Sequence, residues 1–203
     1  MTENSPGKLN RLVFPAIVLV FAAPMLVSWW LVTQTDYGRD ASDASHGYLF
    51  SPARPLPDTE LLDLLVPDKK LKLHGKWNLV VIHEGECNET CFDSLYKVRQ
   101  IRLATGKYAP RVQRLLLSNE PFRSSLDKQL LEQFNGQLFF NYQGLPRSFI
   151  DNFHSEQATD GFANGELYLV DPLGNLMLRY SPGTEPAGII KDLKRLLRYS
   201  RIG

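Results

Sequence analysis

A long apolar run without charges dominates the amino end of the chain. It spans residues 12–32 and reads LVFPAIVLVFAAPMLVSWWLV. A helix of this length, rising about 1.5 Å per residue, crosses a hydrocarbon core of roughly 30 Å. A cleaved signal peptide is the alternative, but its apolar part is only about 7–15 residues long, and no small-x-small cleavage site follows the run. The pattern predicts an uncleaved transmembrane anchor at 12–32, behind a short segment at 1–11.

Turn-forming and polar residues replace this pattern directly after the anchor. Residues 33–58 are rich in Gly, Pro, Ser and Asp and show no sustained apolar period. Such a composition is typical of an extended linker. The globular domain is therefore predicted to occupy residues 59–203.

Short apolar runs alternate with helical periodicity through the rest of the chain. Three runs predict buried strands: WNLVVIH at 77–83, RVQRLLLSN at 111–119 and QLFFNY at 137–142. Three segments with apolar residues at helical spacing predict helices: 90–103, 124–134 and 188–199. Residues 165–180 predict two further strands around the turn signal Asp-Pro-Leu-Gly-Asn. This order predicts an α/β fold, a mixed central sheet with helices on both faces.

Composition and charge narrow the classes of function. With 43% hydrophobic and 22% charged residues, the chain has the composition of a globular protein with a sizeable core. Its formal net charge of +1 gives no reason to expect nucleic acid as a partner. A binding role towards nucleic acid is therefore not favoured.

The charges on either side of the apolar run predict its orientation. Lys8 and Arg11 precede it, whereas the first charges after it are mainly acidic: Asp36, Arg39, Asp40 and Asp43. By the positive-inside rule the amino end lies in the cytoplasm and the domain lies across the membrane. In a Gram-negative bacterium this gives a single-pass inner-membrane protein with a periplasmic domain, in a compartment where cysteines can form disulfides.

Both cysteines of the chain lie in the segment HEGECNETC, residues 83–91. Cys87 and Cys91 follow the strand predicted at 77–83, and open α/β sheets carry their functional sites at the carboxyl ends of strands. A disulfide that closes so short a loop stabilises a fold by only about 2 kcal/mol. We therefore favour a chemical role for the pair over a purely structural cross-link.

Disulfide geometry constrains where the helix can begin. Cβ atoms four residues apart on a helix are about 5–6 Å apart, whereas a disulfide needs about 3.5–4.5 Å, so Cys87 must lie off the helix. Thr90 fits an N-cap within a capping box, and Asn88 is the alternative cap. Cys91 would then lie in the first helical turn and Cys87 in an exposed loop. This is the arrangement of an attacking thiol and a resolving thiol.

The surroundings of the cysteines leave redox chemistry and metal binding open. A helix amino terminus favours the thiolate, whereas nearby carboxylates oppose it unless they point to solvent. Those carboxylates belong to Glu84, Glu86, Glu89 and Asp93. Two sulfurs suit Cu(I), and an imidazole would complete a three-coordinate site. The candidate imidazoles are His83, which could instead point to the far face of the sheet, and His154, in a polar segment before the hairpin.

A basic run lies at the closing helix: Lys191, Lys194, Arg195, Arg198 and Arg201. Positive charge near a helix carboxyl end complements the helix dipole and usually marks a solvated face. A contact with a partner protein or a lipid is the alternative interpretation.

Taken in chain order, these motifs resemble the Sco/SenC proteins, membrane-anchored thioredoxin-like factors of cytochrome c oxidase assembly. GKWNLVVIH looks like that family's first core strand, and CNETC has its C-x-x-x-C spacing. LLLSNEP stands where its second strand and following turn stand, and YLVDPLGNLMLRY looks like its closing hairpin. The resemblance covers roughly residues 75–200 and implies a thioredoxin-like fold.

The resemblance also implies two chemistries for the cysteine pair. One is a copper site made by Cys87 and Cys91 with a distant histidine, and the other is a dithiol that reduces the cysteines of an oxidase copper centre. The family usually has proline after its second cysteine, where this chain has Phe92. Its histidine ligand is expected about five residues before the hairpin tyrosine, and counting back from Tyr168 reaches Ala163.

These departures favour a divergent Sco-like relative whose cysteines exchange electrons, which makes it a candidate thiol–disulfide oxidoreductase. Copper binding through His154 or His83 and a non-catalytic assembly role stay open. The expected partner is an oxidase subunit that carries a copper centre, or another assembly factor.

Overall fold

The computed structural model describes residues 9–34, 45–64, 70–120, 133–154, 162 and 164–203. The chain divides into two units, residues 1–44 and residues 45–203. The described part of the first unit is one helix, α1, at Leu9–Gln34. Within it, Val13–Leu31 has a mean hydropathy of 2.0 and is long and apolar enough to cross a membrane.

A mixed sheet forms the centre of the second unit. Its six described strands are β1 Tyr48–Pro55, β4 Trp77–His83, β5 Val112–Ser118, β6 Gln137–Asn141, β7 Leu167–Val170 and β8 Asn175–Tyr180. They lie in the order β1-β8-β7-β4-β5-β6. Two short strands, β2 Leu61–Leu62 and β3 Lys70–Leu71, form a separate antiparallel pair. The helices are α2 Glu89–Ala104, α3 Arg147–Ile150 and α4 Pro186–Tyr199.

Strand directions bring several loops to one end of this sheet. β4, β5 and β6 are parallel, whereas β7 is antiparallel to β4. His83 at the end of β4 pairs with Ser118, and Ser118 pairs with Asn141. At the start of β7, Leu167 pairs with Val81. The ends of β4, β5 and β6 and the start of β7 therefore lie at the same end of the sheet.

Both faces of the sheet are covered, as β4 shows most clearly. All seven of its residues are buried. Leu79 and Val81 belong to a core cluster with residues of α2 and α4, whereas Val80 and Ile82 belong to a second cluster with Phe149 and Phe153. Alternate side chains of a strand point to opposite faces, so the two clusters lie on opposite sides of the sheet. The predicted mixed sheet with helices on both faces is confirmed.

Most predicted elements lie within one or two residues of their predicted positions. The strands predicted at 77–83, 111–119 and 137–142 are β4, β5 and β6, and the predicted hairpin is β7 and β8. The helices predicted at 90–103 and 188–199 are α2 and α4. The helix predicted at 124–134 lies almost wholly outside the described residues.

The extended linker predicted at 33–58 is wrong in its second half. Residues Tyr48–Pro55 form β1, which pairs with β8 at the outer end of the sheet order, and Phe50 is buried. Pro52 and Pro55 made this segment resemble a linker in sequence. An outer strand accepts proline because one of its sides makes no ladder hydrogen bonds.

Two buried tyrosines make the stability of the fold sensitive to alkaline pH. Burial raises the pKa of Tyr168, and the hydrogen bond to Glu166 raises it further. Burial, then the charge of Asp192, raises the pKa of Tyr180. A tyrosine in the unfolded chain titrates at about pH 10, so these raised pKa values stabilise the fold fully below that pH. The contribution is lost as the pH rises above about 10.

We expect the urea midpoint of unfolding to fall between about pH 9 and pH 11. The fall should be smaller in Tyr168→Phe, which cannot ionise. Tyr199→Phe is the matched control, because Tyr199 is 77% exposed and should not change the pH dependence. An equal fall in all three proteins would show that the Tyr168 phenol does not contribute to it.

Candidate functional site

The two cysteines form a disulfide at the start of α2. Their Cα atoms lie 5.2 Å apart. Cys87 precedes the N-cap residue Asn88, so it lies off the helix as predicted, and Cys91 lies in the first turn. The cap predicted at Thr90 is wrong and the alternative at Asn88 is correct, since the side chain of Asn88 accepts a hydrogen bond from the Cys91 amide at 3.3 Å.

The two sulfur-bearing residues differ in their access to solvent. Cys87 is half-buried, whereas Cys91 is fully buried in the cluster of α2, β4 and α4. A disulfide or thiolate of another protein can therefore reach Cys87 but not Cys91. This asymmetry is what an attacking and a resolving thiol need.

Two asparagines hold the loop that leads to Cys87. The Asn164 side chain accepts a hydrogen bond from the Glu84 amide at 2.9 Å and donates to the Glu84 carbonyl at 3.3 Å. The Asn119 side chain accepts from the Gly85 amide at 2.8 Å. Asn119 follows β5 and Asn164 precedes β7, and these two strands lie on either side of β4. Their side chains therefore reach the loop after β4, and we call this pair the asparagine clamp. Neither asparagine was predicted from the sequence to contact this loop.

Replacing Asn164 with alanine should loosen this loop without unfolding the domain. The Glu84 amide and carbonyl would both lose their partner, which lowers the local opening free energy by about 1–2 kcal/mol. Hydrogen exchange of the Glu84 amide should become correspondingly faster. Asn164→Asp is the control, because it keeps the acceptor for the Glu84 amide and should retain most of the protection. Unchanged exchange in Asn164→Ala would contradict the clamp.

His83 also holds the loop that leads to Cys87. It is 1% exposed, and its Nε2 lies 3.0 Å from the carbonyl oxygen of Glu86. A carbonyl oxygen only accepts, so Nε2 carries the hydrogen and donates it. The strand alternation places His83 on the same face as Val81, which is the face of Cys91 and not the far face. Its Nδ1 is buried and finds no hydrogen-bond partner among the described residues.

His154 lies on the opposite side of the sheet from the buried cysteine. Its ring stacks on Phe162, with ring centroids 4.3 Å apart. Phe162 belongs to the core cluster of Phe149 and Phe153, whereas Cys91 belongs to the other cluster. The structure therefore does not bring His154 together with the sulfurs.

The carboxylates near the cysteines mostly point to solvent. Glu86, Glu89 and Asp93 are exposed, so water and salt screen their charges. Glu84 is half-buried and accepts a hydrogen bond from the Tyr142 hydroxyl at 3.0 Å. Burial, and next this hydrogen bond, raise the pKa of Tyr142. The acidic residues thus oppose a thiolate at the amino end of α2 less than their number in the sequence suggested.

The family model for the transmembrane-like, thioredoxin-like C-terminal domain matches residues 77–200. The chain belongs to this family. No curated protein sequence matches it significantly. The matched region begins with β4 and runs just past α4, so it includes the cysteine pair, the asparagine clamp and the core cluster of Cys91.

Solved structures of Sco proteins have the same fold as this chain. ScoI of Bradyrhizobium japonicum with copper bound is 22% identical, with a TM-score of 0.50, and the match covers 70% of this chain and 98% of that chain. A SCO1/SenC family lipoprotein of Bacillus anthracis is 20% identical, with a TM-score of 0.56 and coverages of 71% and 95%. BsSco, of the Sco family of cytochrome c oxidase assembly proteins, is 14% identical, with a TM-score of 0.55 and coverages of 73% and 96%. The expected thioredoxin-like fold is confirmed.

The side chains that the structure describes do not form a copper site of three protein ligands. Such a site needs an imidazole beside the two sulfurs. In the described part of the chain, no group of three His, Cys, Asp or Glu side chains is arranged to hold a metal ion. Ala163, where the Sco resemblance places the histidine, lies outside the described residues and carries no donor in its side chain. The described residues therefore support a cysteine pair without a third ligand.

Proposed function

We propose that this chain is a membrane-tethered, Sco-like protein that acts in the assembly of the copper centre of cytochrome c oxidase by thiol–disulfide exchange. The observation that carries the proposal is the Cys87–Cys91 disulfide, with one reachable and one buried cysteine at a helix start. The similarity in fold to BsSco, an oxidase assembly protein in which a disulfide switch was identified, supports the oxidase as the setting.

The exchange proceeds in two steps from the reduced pair. The Cys87 thiolate attacks one sulfur of a target disulfide, forms a mixed disulfide and releases the other target sulfur as a thiolate. The Cys91 thiolate then attacks the Cys87 sulfur, which frees the second target thiolate and closes the Cys87–Cys91 disulfide. The target gains two electrons and this protein loses two. A dithiol donor of another protein must reduce the pair again before the next turnover.

The roles of the surrounding residues follow from their contacts. The amino end of α2 stabilises negative charge on Cys91 when that thiol must act as a nucleophile. His83 and the two asparagines hold the loop of residues 84–86, which fixes the position of Cys87. The proposed chemistry needs only the two sulfurs and an ordered loop, and it does not depend on a third ligand.

We place the catalytic domain outside the cytoplasm. The charges on either side of α1 favour a cytoplasmic amino end, and a single span then puts residues 45–203 across the membrane. The periplasm of a Gram-negative bacterium is an oxidising compartment. A disulfide between Cys87 and Cys91 is compatible with that environment.

Copper handling is the second candidate, since ScoI, which has a similar fold, binds copper. Competition of the reduced protein with a chelator for Cu(I) tests it. We expect His154→Ala to leave the affinity unchanged and Ala163→His to raise it, because only the second change adds the imidazole that the resemblance places there. A loss of affinity in His154→Ala would instead identify a relocated ligand and favour the copper function.

Oxidase activity in cells separates the proposed exchange from a non-catalytic assembly role. Cells that carry Cys87→Ser together with Cys91→Ser should assemble oxidase that lacks part of its copper-dependent activity. The control variant is Thr90→Ser, which changes one residue between the cysteines and should preserve oxidase activity. Full activity with the double variant at normal protein levels would favour the non-catalytic role.

A further inference from the structure

The outer face of α4 is strongly basic. Four exposed side chains form it, and we call them the α4 basic face: Lys191, Lys194, Arg195 and Arg198. None of the four forms an ion pair or a hydrogen bond with a described side chain. Asp192, the one acidic residue of this helix, is buried and hydrogen-bonded to His46 and Tyr180. The described neighbouring groups therefore do not neutralise the positive charge on this face.

Apolar surface lies between these charges. A shallow groove of about 500 Å³ runs along the face and is lined by Ala187, Ile190 and Tyr199 together with the basic residues. The Tyr199 side chain is 77% exposed. Lysine and arginine can lay their aliphatic stems on such a strip while their charged ends extend towards phosphates, and tyrosine favours the interface between lipid and water. The chemistry of this face thus matches a surface of anionic headgroups.

The chain that enters the domain is attached to the same helix. The His46 amide donates to the Asp192 carboxylate at 2.7 Å, and His46 Nδ1 lies 3.0 Å from the other carboxylate oxygen. Gly188 makes room for the imidazole, since a Cβ atom there would lie 2.6 Å from the ring. Residues 35–44 connect α1 to Ser45, and a segment of that length spans roughly 35 Å at most. The covalent connection therefore keeps α4 within reach of a membrane that holds α1.

We propose that the α4 basic face binds anionic lipid headgroups of the membrane in which the chain is anchored. The inference rests on the proposed anchor and not on the cysteine chemistry. An acidic protein surface would match the charge equally well. The lipid is the occupant we propose because the tether holds it at high effective concentration, whereas a protein partner must first diffuse to the face.

Lysine acylation of the full-length protein in nanodiscs tests this proposal. One set of nanodiscs contains phosphatidylcholine alone, and the other contains equal amounts of phosphatidylcholine and phosphatidylglycerol. Mass spectrometry should show Lys191 and Lys194 acylated several-fold more slowly in the anionic nanodiscs, whereas Lys76 serves as an exposed reference and should not change. Added salt should reduce the difference, because salt screens the surface potential.

Charge-reversal variants identify the face responsible. Arg195→Glu with Arg198→Glu leaves both reporter lysines in place and should abolish their protection, since each basic residue changes membrane affinity about fivefold. Lys70→Glu with Lys72→Glu is the matched control, with the same change in net charge at another exposed site, and should keep the protection. Equal acylation in the two nanodiscs, or protection that requires an added acidic protein, would overturn the proposal. Replacing both cysteines with serine should not alter the result, so a failure of the redox proposal can be recognised separately.

Discussion

Replacing Cys87 with serine should abolish disulfide exchange by the protein, whereas Cys91→Ser should stop the reaction at the mixed disulfide. Cys87 is half-buried and Cys91 is fully buried, so only the first can meet an external disulfide. Oxidised glutathione is a suitable small target. Mass spectrometry of the reduced variants should detect a stable glutathione adduct on Cys87 in Cys91→Ser and no adduct in Cys87→Ser.

The wild-type protein provides the comparison for this experiment. Its adduct should be transient, because the Cys91 thiolate attacks Cys87 and closes the intramolecular disulfide. The reduced and the oxidised wild-type protein should both stay folded, because a disulfide that closes so short a loop contributes only about 2 kcal/mol to the free energy of unfolding. An adduct on Cys91 in the Cys87→Ser variant, at a rate close to that of Cys87, would contradict the assigned order of attack.

Arg179→Met should destabilise the domain by about 3–5 kcal/mol. The Arg179 guanidinium lies 3.3 Å from the Glu166 carboxylate, and the two side chains are only 16% and 12% exposed. Without the arginine, the carboxylate stays buried with the Tyr168 hydroxyl as its described hydrogen-bond partner. A buried charge without its counter-ion costs more than the ion pair itself contributes. Urea unfolding at neutral pH measures the loss.

A double variant separates the unpaired charge from simple loss of packing. Glu166→Gln combined with Arg179→Met removes both charges and keeps the shape of the acidic side chain and an unbranched stem in place of the arginine. It should recover most of the stability that Arg179→Met loses. Equal instability of the single and double variants would show that the arginine acts through packing alone. Because Asn164 lies two residues before Glu166, the single variant should also loosen the clamp on the cysteine loop.

The elements that could be predicted from the sequence are those whose burial is complete or strictly periodic. β4 is a run of apolar and β-branched residues because both faces of the sheet are covered, and no polar alternation interrupts it. α4 places Ile189, Leu193 and Leu197 in the core at helical spacing. The need for Cys87 to lie off the helix followed from disulfide geometry and is met by the N-cap at Asn88.

Other features depend on contacts that no local pattern encodes. β1 is a partner of β8, and its mixture of exposed and buried residues with two prolines reads locally as a linker. The choice between Thr90 and Asn88 as the cap could not be made from sequence, because both are good N-cap residues. Asn119 and Asn164 meet the cysteine loop only because β5 and β7 flank β4. The signal that could have suggested them is a turn-forming residue beside a strand end, Asn119 after β5 and Asn164 before β7.

The histidines illustrate the same limit at the site. His83 stands four residues before Cys87, which suggested either a ligand or a residue on the far face. The structure places it on the cysteine face and gives its Nε2 hydrogen to the Glu86 carbonyl. His154 precedes the hairpin, but its stacking on Phe162 places it with the other core cluster. Neither position could be decided without knowing which face of the sheet each side chain occupies.

Trapping of the cellular target with Cys91→Ser tests the central claim most directly. Cells that produce the full-length variant are treated with an alkylating reagent, and disulfide-linked complexes are separated without reductant and identified by mass spectrometry. We predict a mixed disulfide between Cys87 and a cysteine of an oxidase copper-centre subunit or of another assembly factor, and its absence in Cys87→Ser. If Cys91→Ser captures no protein, and the wild-type cysteines stay oxidised under all growth conditions, the pair is a structural cross-link and the proposed exchange does not occur.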